Sequence, residues 1–269
     1  MKPSLLVGID LTDSYARTPR AVDVATLDAQ TGQVVFDEFE WPPEGPGWAV
    51  EVARVVSSLG RDKTVFIVDG PQALARMQNN TRLVERYLRA PGHTPWQVPD
   101  PRARPFAGYI RTSINFFSAL VTAGFSLAEL ANAENSANLF EAYPGAVWPL
   151  WHRCAEPLQS KSTVAGRNQR RAILESVGCN FSNSGELTHD QLDAGVCAAL
   201  GWRFFIPCAD WPVELVPPPT PPVEQNLAVF RDASGILREG RMLMPQIASP
   251  LKRPAGSHGQ CSPGRGLFR

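Results

Sequence analysis

The sequence predicts an α/β protein built on a mixed five-stranded sheet, three antiparallel strands followed by parallel ones, flanked by helices. Two observations predict it. Three short apolar runs, "SLLVGID", "TVFIVD" and "NLFEAY", end in or close to an acid and lie apart from one another, with helical spacing between the later ones. Strands joined through helices pair in parallel. The first run is followed instead by two alternating segments around Thr31-Gly32, the pattern of a β-hairpin, so the sheet opens antiparallel.

The elements follow in order. Residues 4 to 10 are the first strand, and residues 20 to 40 form the hairpin beside it. "GWAVEVARVVSSLG" has helical spacing and stops at Gly60. Residues 64 to 69 are an all-apolar strand closed by Asp69 and a Gly-Pro turn. Helices are expected over 80 to 90 and 112 to 131, separated by a proline-rich loop at 91 to 105. Residues 138 to 142 make the third apolar strand, and helical patterns return at 165 to 177 and 188 to 205. Thr188 and Gln191 form a capping box at the start of the last of these. These elements define a domain over 1 to 212. A proline-rich linker at 213 to 225 leads to a small hairpin appendage at 226 to 246, with its turn at Ser234-Gly235. Residues 247 to 269 are rich in Pro, Gly, Ser and basic residues without periodicity, the composition of a disordered basic tail.

Composition removes several classes of function. With 26 basic and 26 acidic side chains the net charge is zero, so nucleic-acid binding has to rest on a local basic patch or on bridging metal ions. The five cysteines have no CxxC spacing and no histidine pairing, which argues against a zinc site or disulfide framework and for reduced thiols. Acids arrive by residue 10, too early for a signal peptide, and no stretch has the length to cross a bilayer. A cytoplasmic protein without membrane contact is expected.

The chemistry is expected where the strands end. Ligands of open α/β sheets collect beyond the carboxyl ends of parallel strands, and Asp10, Asp69 and Glu141 stand at or near those ends. Asp190 and Asp193, three residues apart, share one helix face that continues as the apolar stripe Val196, Cys197, Leu200 and Phe204. Carboxylates gathered in one pocket repel unless they share protons or bind cations. Oxygen-rich, histidine-poor ligation selects Mg²⁺ or Mn²⁺, and two such ions roughly 4 Å apart cleave phosphodiesters. Lys161, Arg167, Arg170 and Arg171 form the densest basic cluster. They, with Arg111, are candidates to hold substrate phosphates. Trp148 and Trp151 are core residues with the chemistry to stack a base, and His189 lies beside the helix cap.

Five motifs in order, "VGIDLT", "FIVDGPQ", "EAYP", "KSTVAGRNQRR" and "THDQLDAGVCAAL", resemble a family of predicted RNase H-like nucleases over residues 4 to 205. The acids of the first and fourth strands and the D-x-x-D of a late helix are also similar to those of RuvC-type Holliday junction resolvases. The resemblance implies an RNase H-like fold and a metal-dependent nuclease acting on DNA or RNA. On it, Asp10 bridges two ions, Asp69 holds one, and Asp190 with Asp193 the other, while Glu141 falls outside the resolvase set. Two other classes remain open. One is a nucleotide-binding ATPase of the actin and sugar-kinase type, suggested by "VGIDLT" but lacking a second domain and a second phosphate loop. The other is a catalytically silent scaffold.

Overall fold

The computed structural model describes residues 3–40, 54, 63–127, 138–182, 185–216 and 229–246. Ten strands and five helices lie among them. The strands are β1 (Leu5–Asp10), β2 (Val22–Asp28), β3 (Gln33–Phe39), β4 (Thr64–Asp69), β5 (Leu139–Ala142), β6 (Asn180–Phe181), β7 (Val213–Val216), β8 (Phe230–Arg231), β9 (Leu237–Arg238) and β10 (Met242–Pro245). The helices are α1 (Leu83–Leu88), α2 (Ala107–Thr122), α3 (Pro144–Trp151), α4 (Val164–Val177) and α5 (His189–Phe205). The helix expected over 47 to 60 lies outside the described residues, Arg54 excepted, as do residues 128 to 131 of the helix expected over 112 to 131.

The mixed sheet has the expected centre. β1 pairs antiparallel with β2 and β2 with β3, whereas β1 and β4, then β4 and β5, pair in parallel. The sheet is nevertheless larger than five strands. Its order is β6-β3-β2-β1-β4-β5-β10-β7, eight strands in all. The linker and appendage expected after residue 212 therefore need correction: β7 occupies the first residues read as linker. The segment read as the hairpin's return splits in two. Only Phe230–Arg231 and Leu237–Arg238 pair as a hairpin. Glu239 and Gly240 then adopt φ of 59° and 117°, two successive left-handed residues that swing the chain away. β10 enters the main sheet between β5, parallel to it, and β7, antiparallel to it.

Two apolar layers flank the sheet. One face carries Leu6, Ala25, Leu27, Val65, Ile67 and Phe140 against α5; the other carries Val7, Ile9, Phe66 and Val68 against Phe116, Phe117 and Leu120 of α2. Each Val, Leu, Ile or Phe among them, fully buried, contributes about 1.5–3 kcal/mol. α5 is buried from Leu192 through Trp202 without a break, so it is enclosed all round rather than along one stripe. Its small residues are what permit this. A Cβ on Gly8 of β1 would lie 2.0 Å from the carbonyl oxygen of Ala194 and 2.4 Å from the nitrogen of Ala198. Helix backbone thus rests directly on strand backbone. Thr188 caps the helix, accepting from the Gln191 N–H while the Gln191 side chain accepts from the Thr188 N–H. No helix among the described residues is long and apolar enough to cross a membrane. Cys179, Cys197 and Cys208 are free thiols, whereas Cys154, against the expectation of reduced thiols, is disulfide-bonded.

Candidate functional site

Register places the first acids. Asp10 ends β1 directly opposite Asp69 at the end of β4, and on its other side directly opposite Asp23 of β2. Directly opposed residues present their side chains to the same face, so three aspartates stand in a row across three strands. That face is the one α5 covers, because Asp10 lies two residues beyond Gly8, where the helix touches the strand. The contact at Ala194 brings the adjoining Asp193, and Asp190 one turn earlier, to the same strand ends.

The electrostatics report this crowding. Desolvation, then the charges of Asp69, Asp193 and Asp190, raise the Asp10 carboxyl well above its ordinary value, and Lys161 only partly offsets them. Asp69 is pushed from 3.8 up to about 7, chiefly by desolvation and by Asp193, against the lowering effects of Lys161 and of hydrogen bonds with Asp10 and Tyr109. Tyr109 donates its hydroxyl to the Asp69 carbonyl oxygen at 3.0 Å and lies 3.3 Å from its Oδ1. Asp23 rises to about 6 through desolvation and the charges of Asp190 and Glu38, opposed by Arg20. Its Oδ1 is buried without a hydrogen-bond partner.

The two helix acids are held differently. Asp193, 3% exposed, accepts from Trp148 Nε1 at 2.6 Å on one oxygen and from Lys161 Nζ at 2.6 Å on the other. Asp190 pairs with Arg20 at 2.5 Å, and His189 Nδ1 lies 2.6 Å from its other oxygen. Among the described residues no three His, Cys, Asp or Glu side chains are gathered as a metal-ligand set as they stand. Chemically the donors suit a hard divalent cation, all of them carboxylate oxygens, one of them orphaned.

Glu141 departs from the expected cluster. Ala142, not Glu141, stands opposite Asp69, and Glu141 stands opposite Val68. Side chains alternate along a strand, so Glu141 faces away from the aspartates. Arg82 receives it, with Nη1 and Nη2 on its two oxygens at 2.7 and 2.5 Å, and the Gln72 N–H adds a third bond at 3.0 Å. Arg82 also binds Glu85 and is 1% exposed, which makes this a buried ion-pair network. Glu141 and Arg82 still line the same cleft as Asp10, Asp69, Asp190 and Lys161, a cleft of about 420 Å³.

The basic cluster divides. Lys161 reaches the acids. Arg167 pairs with Glu186, Arg171 with Glu175 at 2.9 Å, and both line a separate hollow with Gly185 and Leu187. Arg170 is buried, donates to the carbonyls of Gln159 and Gly166, and lies over the Trp148 ring at 5.7 Å. Arg111 lies over Tyr15 at 5.5 Å. Trp151 is buried edge-on to Trp211. The residues that sequence reasoning overlooked are Asp23, Arg20 and Tyr109, along with Trp148 as the donor to Asp193.

No curated protein and no solved structure matches the chain. A family model does, that of "Protein of unknown function (DUF429)", and it covers residues 8–218. Those residues run from β1 through β7, so they contain every aspartate of the cluster and more than half of the sequence; the chain belongs to the DUF429 family.

Proposed function

We propose that the protein is a divalent-metal-dependent nuclease that hydrolyses phosphodiester bonds of DNA or RNA on an RNase H-like fold. The strand order β3-β2-β1-β4-β5, antiparallel first and parallel after, supports the fold assignment. The observation that carries the activity is the in-register pair Asp10–Asp69 with Asp190 and Asp193 closed over it by the contact of α5 with Gly8. Asp10 and Asp69, buried side by side without a cation of their own, call for one, and they, with Asp190 or Asp193, are the residues that would hold Mg²⁺ or Mn²⁺. The ion would supply water activation and charge neutralisation on the phosphate.

The chain's own side chains do the positioning. Tyr109 fixes the orientation of Asp69, and Trp148 fixes that of Asp193. Arg20 and Lys161 line the cleft, each paired with a helix acid and each partly exposed, and are the cations placed to meet a phosphate. Single-stranded, duplex and branched DNA and RNA incubated with the protein in Mn²⁺, Mg²⁺ or EDTA test the reading. Cleavage of at least one substrate is expected with metal, and none in EDTA or from Asp69→Asn. Cleavage indifferent to both would overturn it.

A further inference from the structure

We infer that the acid cluster holds one divalent cation rather than two, with the Lys161 ammonium standing as the second positive charge. The inference rests on the nuclease reading and narrows it. A two-ion centre needs the helix acids free to ligate, and Asp193 is committed. Each of its oxygens already accepts a donor at 2.6 Å, one of them the indole N–H of a tryptophan that is 2% exposed. Turning Asp193 toward an ion would strand that N–H in the core, where an unpaired donor bears its full desolvation cost.

Lys161 is held for this place. The turn that carries it is tied by the Thr163 N–H and hydroxyl to the Ser160 carbonyl, by the Ser160–Ser162 hydroxyl contact at 2.9 Å, and by Thr163 as the cap of α4. Its side chain is about half exposed, lines the cleft, and is near enough to Asp10 and Asp190 for both charges to act on it beside that of Asp193. A compact, strongly hydrated ammonium on a flexible stem can do what a cation does for a phosphate oxygen.

What remains for the metal is on the strands. Asp10 and Asp69 stand side by side, and Asp23, directly across from Asp10, keeps its Oδ1 buried with no donor. Asp23 is 7% exposed, and a carboxylate oxygen buried without a donor is a group that a cation would satisfy.

Titration of the full chain with Mn²⁺, followed by the electron paramagnetic resonance signal of the free ion, tests this without any turnover. Wild type should bind one Mn²⁺ per chain, and Asp10→Asn should weaken that binding by at least about tenfold. Lys161→Gln should admit a second Mn²⁺, whereas Lys161→Arg, which keeps the charge, should still bind one. Circular dichroism melts verify that the variants are folded. Two ions on the wild type would overturn the inference and leave the metal-dependent reading intact. A single ion that persists in Lys161→Gln would overturn the role given to Lys161. No binding at millimolar Mn²⁺ would overturn the nuclease reading itself.

Discussion

Desolvation and the neighbouring carboxylates make Asp10 and Asp69 far weaker acids than surface aspartates, and the sign of the resulting pH dependence follows. Asp69 moves from 3.8 to about 7 on folding. Between those values the folded chain keeps a proton that the unfolded chain has lost, so this contribution to stability is full at the acid end. It drains away as pH rises toward 7 and is gone above it. Melts in EDTA should therefore fall in midpoint from about pH 5 to about pH 7.5 more steeply in wild type than in Asp69→Asn; parallel slopes would refute the coupling. Asp10→Asn, which removes a charge from the row, should keep or raise the midpoint in EDTA and lose most of the stabilisation that Mn²⁺ gives wild type. A full Mn²⁺ shift in that variant would place the metal elsewhere. Asp10, Asp69, Asp190 and Asp193 were legible in the sequence because they close apolar runs or follow a helix cap. Asp23 was not, because an acid within "VDVATLD" reads as a solvent-facing position until pairing sets it opposite Asp10. Glu141 stands one residue out of register with Asp69, which in a strand means the opposite face, although it lines the same cleft.

The element that makes the site is the contact between β1 and α5. Gly8→Ala would drive its methyl into backbone atoms on two turns of the helix, which no side-chain adjustment can relieve. The cost should be about 3 kcal/mol, at the upper end for overpacking, read as a fall in urea midpoint. A neutral outcome would mean the helix sits farther from the strand. Thr188→Ala removes only a cap and should cost about 1 kcal/mol. The helices with clear periodicity or caps came through the sequence with small boundary shifts, and so did the hairpin at Thr31-Gly32. β7 and β10 did not. "VELV" runs into prolines, and "MLMP" is four apolar residues with nothing to distinguish a hairpin arm from an interior strand. The turn at Glu239-Gly240 that decides between them is a backbone event with a weak sequence signature.

At the scale of the whole molecule, the sheet depends on a pairing that joins residue 141 to residue 242. A chain ending at residue 212, the boundary the sequence suggested, would bare the β5 edge and remove Met242, Leu243 and Met244 from the core. Such a truncation should run as aggregate on size exclusion or melt far below the full chain; a soluble, equally stable product would show that β10 is dispensable. The same late strand brings Glu239, which accepts from the backbone N–H groups of Arg76 and Leu83 and so pins the segment leading to Arg82. Met242 itself lines the cleft. Translation delivers these residues after all five aspartates. While the ribosome is still reading the preceding segment, the nascent chain already displays Asp10, Asp23, Asp69, Asp190 and Asp193, but the wall opposite them has neither its strand nor its clamp. A product interrupted before residue 239 would carry the whole set of aspartates and no finished cleft.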